Sequence, residues 1–148
     1  MSDINSSMKT QPTVPHPAAE AGLNEWRRII TALDWDKLPD LLAENVGYHN
    51  PASFETFYGK DALITILRAV FNVFEDFTYL RHFSSEIGCV LEFSAKVGDE
   101  MLFGVDLIEF DEHGNITDLM VMIRPADVVQ TLATEAGKRL AASQTAKE

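Results

Sequence analysis

The segment 101–110 reads Met-Leu-Phe-Gly-Val-Asp-Leu-Ile-Glu-Phe and sets one carboxylate, Asp106, among apolar neighbours. Alternate side chains of an extended strand share a face. Asp106 therefore joins Leu102, Gly104, Ile108 and Phe110, with Met101, Phe103, Val105, Leu107 and Glu109 opposite. Both faces are apolar, which is the pattern of a strand covered on both sides. Burying an unpaired carboxylate costs several kcal/mol, so such a group either takes a partner or keeps its proton. A neutral carboxylic acid in an apolar site can donate a hydrogen bond to a ligand oxygen. A pairing with Arg124, Arg81 or a backbone amide would instead make Asp106 architectural.

A second constellation is Tyr48-His49-Asn50-Pro51. Period two puts Tyr48 and Asn50 on one face and His49 on the other. A phenol and an amide side by side can grip a carbonyl or position a water. Asn50 can equally initiate the turn before Pro51 while Tyr48 packs. Trp26, on the apolar face of a helix, is a core residue or a pocket wall with one N–H to offer. Phe54 and Phe57 are candidate pocket residues in an unusually aromatic connection. His82 shares a face with Thr78, Leu80 and Ser84, and Phe77, Tyr79, Arg81 and Phe83 lie opposite; the pattern leaves open which face is inward. Cys89, with Leu91, Phe93 and Ala95, reads as an inert buried thiol.

These residues must be positioned by ordinary elements. Residues 1–17 are polar and Pro-rich and read as a disordered leader. Leu23, Trp26, Ile30 and Leu33 recur at helical steps, and Asp34 or Asp36 can cap a short second helix with Pro39 in its first turn. A short strand is expected over 46–50 and a loop over 51–59. A third helix follows over about 60–74, carrying Leu63, Leu67, Val70, Phe71 and Phe74 on one face. From Phe77 the period becomes two, giving strands over 77–84, 87–97, 101–110 and 116–123 with turns at Gly98 and Gly114. Arg124-Pro125 ends the last strand, a closing helix spans 126–136, and 137–148 reads as a flexible tail. This is one α+β domain over 18–136, with helices first and a four-strand meander after them.

Composition excludes several classes. The chain has 148 residues with 23 Asp and Glu against 12 Lys and Arg, a net charge of −11. Nucleic-acid binding needs clustered cations and is not expected. No apolar run approaches the ~20 residues of a membrane helix. A single cysteine and the absence of Cys/His spacing leave no internal disulfide and no metal site to expect. No secretory signal is recognisable, and the expected location is cytoplasmic.

Four groups of residues, in order, give the chain a family resemblance. They are Leu33-Asp34-Trp35-Asp36 with Leu38-Pro39-Asp40-Leu41-Leu42; Tyr48-His49-Asn50-Pro51 with Tyr58-Gly59-Lys60-Asp61-Ala62; Gly104-Val105-Asp106-Leu107-Ile108-Glu109-Phe110 with Asp111-Glu112-His113-Gly114-Asn115; and Ile123-Arg124-Pro125. The chain resembles the nuclear transport factor 2-like superfamily, in its SnoaL-like group of polyketide cyclases and ketosteroid isomerases. The resemblance implies a curved antiparallel sheet wrapped round helices into a cone with an internal pocket, and a homodimer formed through the sheet. It implies that Asp106 matches the oxyanion-binding acid of the isomerases. Their base falls at Asn50 and their helix phenol at Trp26. Tyr48 and Asn50 also resemble the water-positioning pair of the limonene epoxide hydrolases, whose remaining catalytic set falls at Glu92, Ser94 and Val121.

The expected function is a pocket protein for a small, largely apolar molecule bearing a carbonyl or hydroxyl. Cofactor-independent acid/base chemistry would use Asp106, Tyr48 and Asn50, with Trp26, Phe54, Phe57, His49 and His82 around the ligand. The alternative is a non-catalytic carrier or dimerisation module, because an amide at Asn50 cannot act as a base.

Overall fold

A computed structural model describes residues 14–147, with side-chain environments through residue 143. Residues 1–13 of the leader expected over 1–17 therefore lie outside the described residues, whereas its last two, His16 and Pro17, belong to the start of the first helix. Helix α1 spans Pro17–Ala32 and starts where Pro17 supplies the first turn and His16 Nδ1 accepts the Ala19 N–H at 3.2 Å. It buries Leu23, Trp26, Ile29 and Ile30 and ends at Leu33, whose φ of 54° is left-handed. Gly22 lets α1 lie against the sheet. A Cβ there would collide with the Gly114 carbonyl and meet the Phe110 ring at 2.9 Å.

The short helix expected next is a 3-10 helix, Trp35–Leu41, with Pro39 inside it. Pro39 has no N–H to give, which suits a brief tight turn better than a sustained α-helix. Asp34 stands at its N-cap but makes no side-chain cap bond; its carboxylate accepts from Arg28 at 3.1 Å.

Strand β1 (Leu42–His49) and helix α2 (Lys60–Val73) frame the segment read as a loop. That segment contains a three-residue strand, β2 (Thr56–Tyr58), paired to β1 through Gly47–Tyr58, Tyr48–Phe57 and His49–Thr56. The remaining strands are β3 (Glu75–Ser84), β4 (Gly88–Val97), β5 (Glu100–Phe110) and β6 (Ile116–Arg124). The sheet runs β2-β1-β6-β5-β4-β3, an antiparallel meander over β3–β6 with β1 parallel to β6. Register shifts in the β1–β6, β3–β4 and β5–β6 pairs bend it, and α1 and α2 fill the concave side.

Helix α3 spans Ala126–Lys147. It passes through Gly137, where the sequence pattern suggested a stop. Glu135 holds Lys138 and Arg139 at 3.1 Å each, side-chain pairs that bridge the glycine turn.

Candidate active site

The inward face of β5 is the one alternation assigns to Asp106. Leu102, Gly104, Asp106, Ile108 and Phe110 are all buried. Gly104 clears space there, since a Cβ would meet the Phe93 ring at 2.5 Å and the Met122 carbonyl at 2.8 Å. Asp106 is the one charged residue in the core of the described chain, only 7% exposed. Its partner is neither arginine foreseen. Arg81 binds Glu92 at 2.8 Å on the exterior, and Arg124 is exposed.

Tyr79 is the partner. Its hydroxyl donates to Asp106 Oδ2 at 3.2 Å and accepts the Trp26 indole N–H at 3.0 Å. Sequence reasoning left the β3 faces unassigned, so Tyr79 was not singled out. The Phe77/Tyr79 face proves to be the inward one, and the aromatic pair opposite a Thr/His face was the available signal. Burial drives the Asp106 carboxyl up to about 7, and the Tyr79 hydrogen bond opposes the rise. The acid is thus near half-protonated at neutral pH.

Tyr48 completes the arrangement. Its phenol is buried, and burial with the nearby Asp106 charge holds it well above its ordinary value, so it stays a neutral donor. The Tyr48 hydroxyl and Asp106 Oδ1 bond to none of the described residues, yet neither is a sealed, unsatisfied atom. Both are free to bond a guest. Trp26, Tyr48, Pro51, Phe93, Asp106 and Leu132 are among the walls of an inner chamber of about 30 Å³. That is room for roughly one or two waters.

A second chamber of about 140 Å³ shares Tyr48, Pro51, Val70 and Leu132 with the first. Asn50 and Phe57 line it, and α3 closes it with Ala133, Ala136 and Leu140. Asn50 is thus near Tyr48, as alternation requires, but its side-chain oxygen accepts the Ala52 N–H at 2.8 Å in a turn.

Three expected wall residues lie elsewhere. Phe54 is fully exposed and lines neither chamber. His82 is exposed on the outward side of β3. His49 points to the outer face, where Nε2 meets Asp118 Oδ1 at 2.7 Å and Nδ1 meets Thr56 Oγ1 at 3.1 Å. Larger depressions exist, including a groove of about 360 Å³ between α2 and α3. Its polar lining of Thr65, Arg68, Asn72, Arg139 and Ser143 contains no carboxylate, and neither Asp106 nor Tyr48 lines it.

A curved sheet round helices is the architecture of nuclear transport factor 2-like proteins. The description "SnoaL-like domain" is that of the family model matching residues 23–119, and the chain belongs to that family. Among solved structures it is similar to a steroid delta-isomerase from Pseudomonas aeruginosa, at 38% identity over 90% of this chain and 98% of the other, with a TM-score of 0.86. It is also similar to a bacterial protein of cystatin-like fold from Silicibacter pomeroyi, at 36% identity over 72% and 75% of the two chains and a TM-score of 0.69. An NTF2-like protein from Mesorhizobium loti shares the fold at 18% identity, over 77% and 99% of the two chains, with a TM-score of 0.66. A comparison with curated protein sequences finds no match.

Proposed function

We propose that this protein binds a small, largely apolar molecule by its carbonyl or hydroxyl oxygen, with Asp106 and Tyr48 as the two donors. The observation that carries this is the pair itself: a buried carboxyl titrating near 7 and a neutral phenol, both facing one chamber and both lacking a protein acceptor. Tyr79, itself held by the Trp26 indole, donates to Asp106 Oδ2, which leaves Oδ1 to carry the donated proton. Any reaction would be cofactor-independent acid/base chemistry, such as isomerisation, cyclisation, dehydration or hydration. The 38% identity with a steroid delta-isomerase supports the isomerase type.

A carrier role is the second reading, favoured by Asn50. An amide committed to the Ala52 N–H offers no base beside the donors. We also place the chain in a homodimer through the outer sheet face, where Phe103 and Met122 are about half exposed beside Val105. A cytoplasmic setting fits the single free, buried thiol, Cys89. No helix among the described residues is long and apolar enough to cross a membrane.

NMR titration of the Asp106 side chain tests the reading. The expected midpoint is near 7, displaced when a ketosteroid is added, and an ordinary carboxylate midpoint that the ketone leaves unmoved would end it. Conversion of a β,γ-unsaturated ketosteroid to the conjugated ketone, followed by ultraviolet absorbance, separates enzyme from carrier. Turnover that Asp106→Asn abolishes supports the enzyme, and ketone binding without turnover supports the carrier.

A further inference from the structure

The groove of about 360 Å³ between α2 and α3 falls in the size range of small-molecule sites. Thr65, Arg68 and Asn72 recur at helical steps on one face of α2, and Arg139 and Ser143 stand one turn apart on α3. The two stripes line the groove over Ala69 and Leu140, so a seam that helices ordinarily close with apolar side chains is instead rich in donors. The Arg68 guanidinium has no partner among the described residues, and the side chains of Thr65, Asn72 and Ser143 make no hydrogen bond there either. Arg28 and Arg81, by contrast, are each held by a carboxylate. Arg139 is anchored by Glu135 through Nη1 alone, which donates to the carboxylate and to the backbone carbonyl at 3.1 Å each. Its Nη2 and Nε stay unengaged among the described residues. In a chain with 23 Asp and Glu against 12 Lys and Arg, a groove lined by two arginines and no acid stands apart.

We infer that this groove is a second binding site, separate from the Asp106 chamber, and that it takes a small phosphate monoester between Arg68 and Arg139. Each guanidinium offers an oxyanion a two-pronged, charge-assisted partner. Two such forks with two hydroxyls and an amide supply more donors than the two oxygens of a carboxylate accept. A phosphate monoester brings three acceptor oxygens and a charge near −2, which matches the two arginines. Glu135 acts as a positioning residue, since its grip on Nη1 fixes the Arg139 fork while leaving the other nitrogens to the ligand. The organic part of the ester lies over Ala69 and Leu140.

The probes are phenyl phosphate, inorganic phosphate and benzoate, followed by NMR of the Asn72 side-chain amide and the Arg68 Nε–H at about pH 8, where the ester is a dianion. The wild type should bind phenyl phosphate about tenfold more tightly than benzoate, and added salt should weaken the binding. Inorganic phosphate should move the same resonances only at higher concentration, because it has no body to lay on Ala69 and Leu140. Arg68→Gln should weaken phenyl phosphate by about tenfold or more, and Arg68→Lys should restore part of the loss. Arg28→Gln removes a cation elsewhere and should change little, which separates a site from a general effect of charge. Arg68 is exposed, so its variants are expected to melt as the wild type does. Benzoate or inorganic phosphate binding as tightly as the ester overturns the inference. So does an affinity that Arg68→Gln leaves untouched, or an Asn72 amide that no probe moves. None of these outcomes bears on the Asp106 titration, and the pocket reading stands or falls by its own test.

Discussion

The two faces of the sheet each carry a chain of three hydrogen-bonding side chains that ends in an aspartate. Inside, Trp26 donates to Tyr79 and Tyr79 to Asp106. Outside, the His49 ring bridges Thr56 and Asp118. The outer set has the more familiar catalytic residue types, hydroxyl, imidazole and carboxylate, and tighter distances. Its side chains, however, are about one-third exposed, at 30% for His49 and 33% for Asp118. Water screens such a pair and competes for every bond in it. The inner set is built from weaker acids and donors, yet burial moves its carboxyl to about 7. Environment outweighs residue type, and this is why the proposed site is the quieter set.

The comparison is broken most severely by removing the inner charge. The folded protein keeps the Asp106 proton up to about 7, whereas an unfolded chain releases it near the ordinary carboxyl value of 3.8. Stability contributed by this group is therefore fully present below about pH 4 and is lost as pH rises through 7. The loss is about 4 kcal/mol for a shift of this size. Asp106→Asn should flatten that part of the profile. Urea melts across pH 4–8 should show the variant gaining on the wild type as pH rises. A constant difference would mean that Asp106 is not protonated in the fold.

Tyr79→Phe attacks the same network from its centre. It strands the Trp26 indole N–H and takes a donor from Asp106, at a cost of roughly 1–3 kcal/mol. Because the Tyr79 bond lowers the Asp106 value, its loss should move that midpoint further up. Chemical denaturation and the Asp106 NMR titration check the two effects separately. The matching outer change, Thr56→Val, should cost less than about 0.5 kcal/mol.

The two glycines that admit these networks extend the comparison. Gly104 lies under the Phe93 ring and the Met122 carbonyl, a rigid ring and a strand backbone. Gly104→Ala forces one of them to shift and should destabilise by about 1–3 kcal/mol in a thermal melt. At Gly47 the one tight contact of a new Cβ is the Asp118 carboxylate at 2.8 Å, the end of a side chain that can turn away, with the Tyr58 ring at an ordinary 3.5 Å. Gly47→Ala should therefore be the milder of the two.

Much of this was legible in the sequence. The α+β order, the meander and the residues that share a face with Asp106 follow from periodicity, because helices and strands write different repeats into buried residues. Which face is inward did not follow, since both are apolar, and the cover expected on both sides fails where Met101 and Phe103 are about half exposed. The face shared by Tyr48 and Asn50 followed from the same alternation. The strand β2 was missed because three residues are too few to show a period, and α3 past Gly137 because the bridging Glu135 pairs do not alter hydropathy. Tyr79 was missed for a deeper reason. Strand β3 is an edge strand with a register shift between Tyr79 and His82, so both of its faces carry aromatic and polar residues. The Phe77/Tyr79 pair was the one hint of the inward face, and the fold shows that this face meets Asp106. His49 and Phe54 show the converse: suitable side chains beside a site, aimed away from it.

The smallest effect is the most direct measure of the contrast. A double-mutant cycle on His49 and Asp118, using His49→Gln and Asp118→Asn, should return a coupling below about 1 kcal/mol despite the 2.7 Å contact. The same cycle on Tyr79 and Asp106, using Tyr79→Phe and Asp106→Asn, should return more, because neither partner can turn to water when the other is lost. Denaturant melts at a fixed pH of 6 suffice for both. A larger coupling outside than inside would reverse the ranking of the two faces. It would make the imidazole, rather than the buried acid, the group whose chemistry the fold protects.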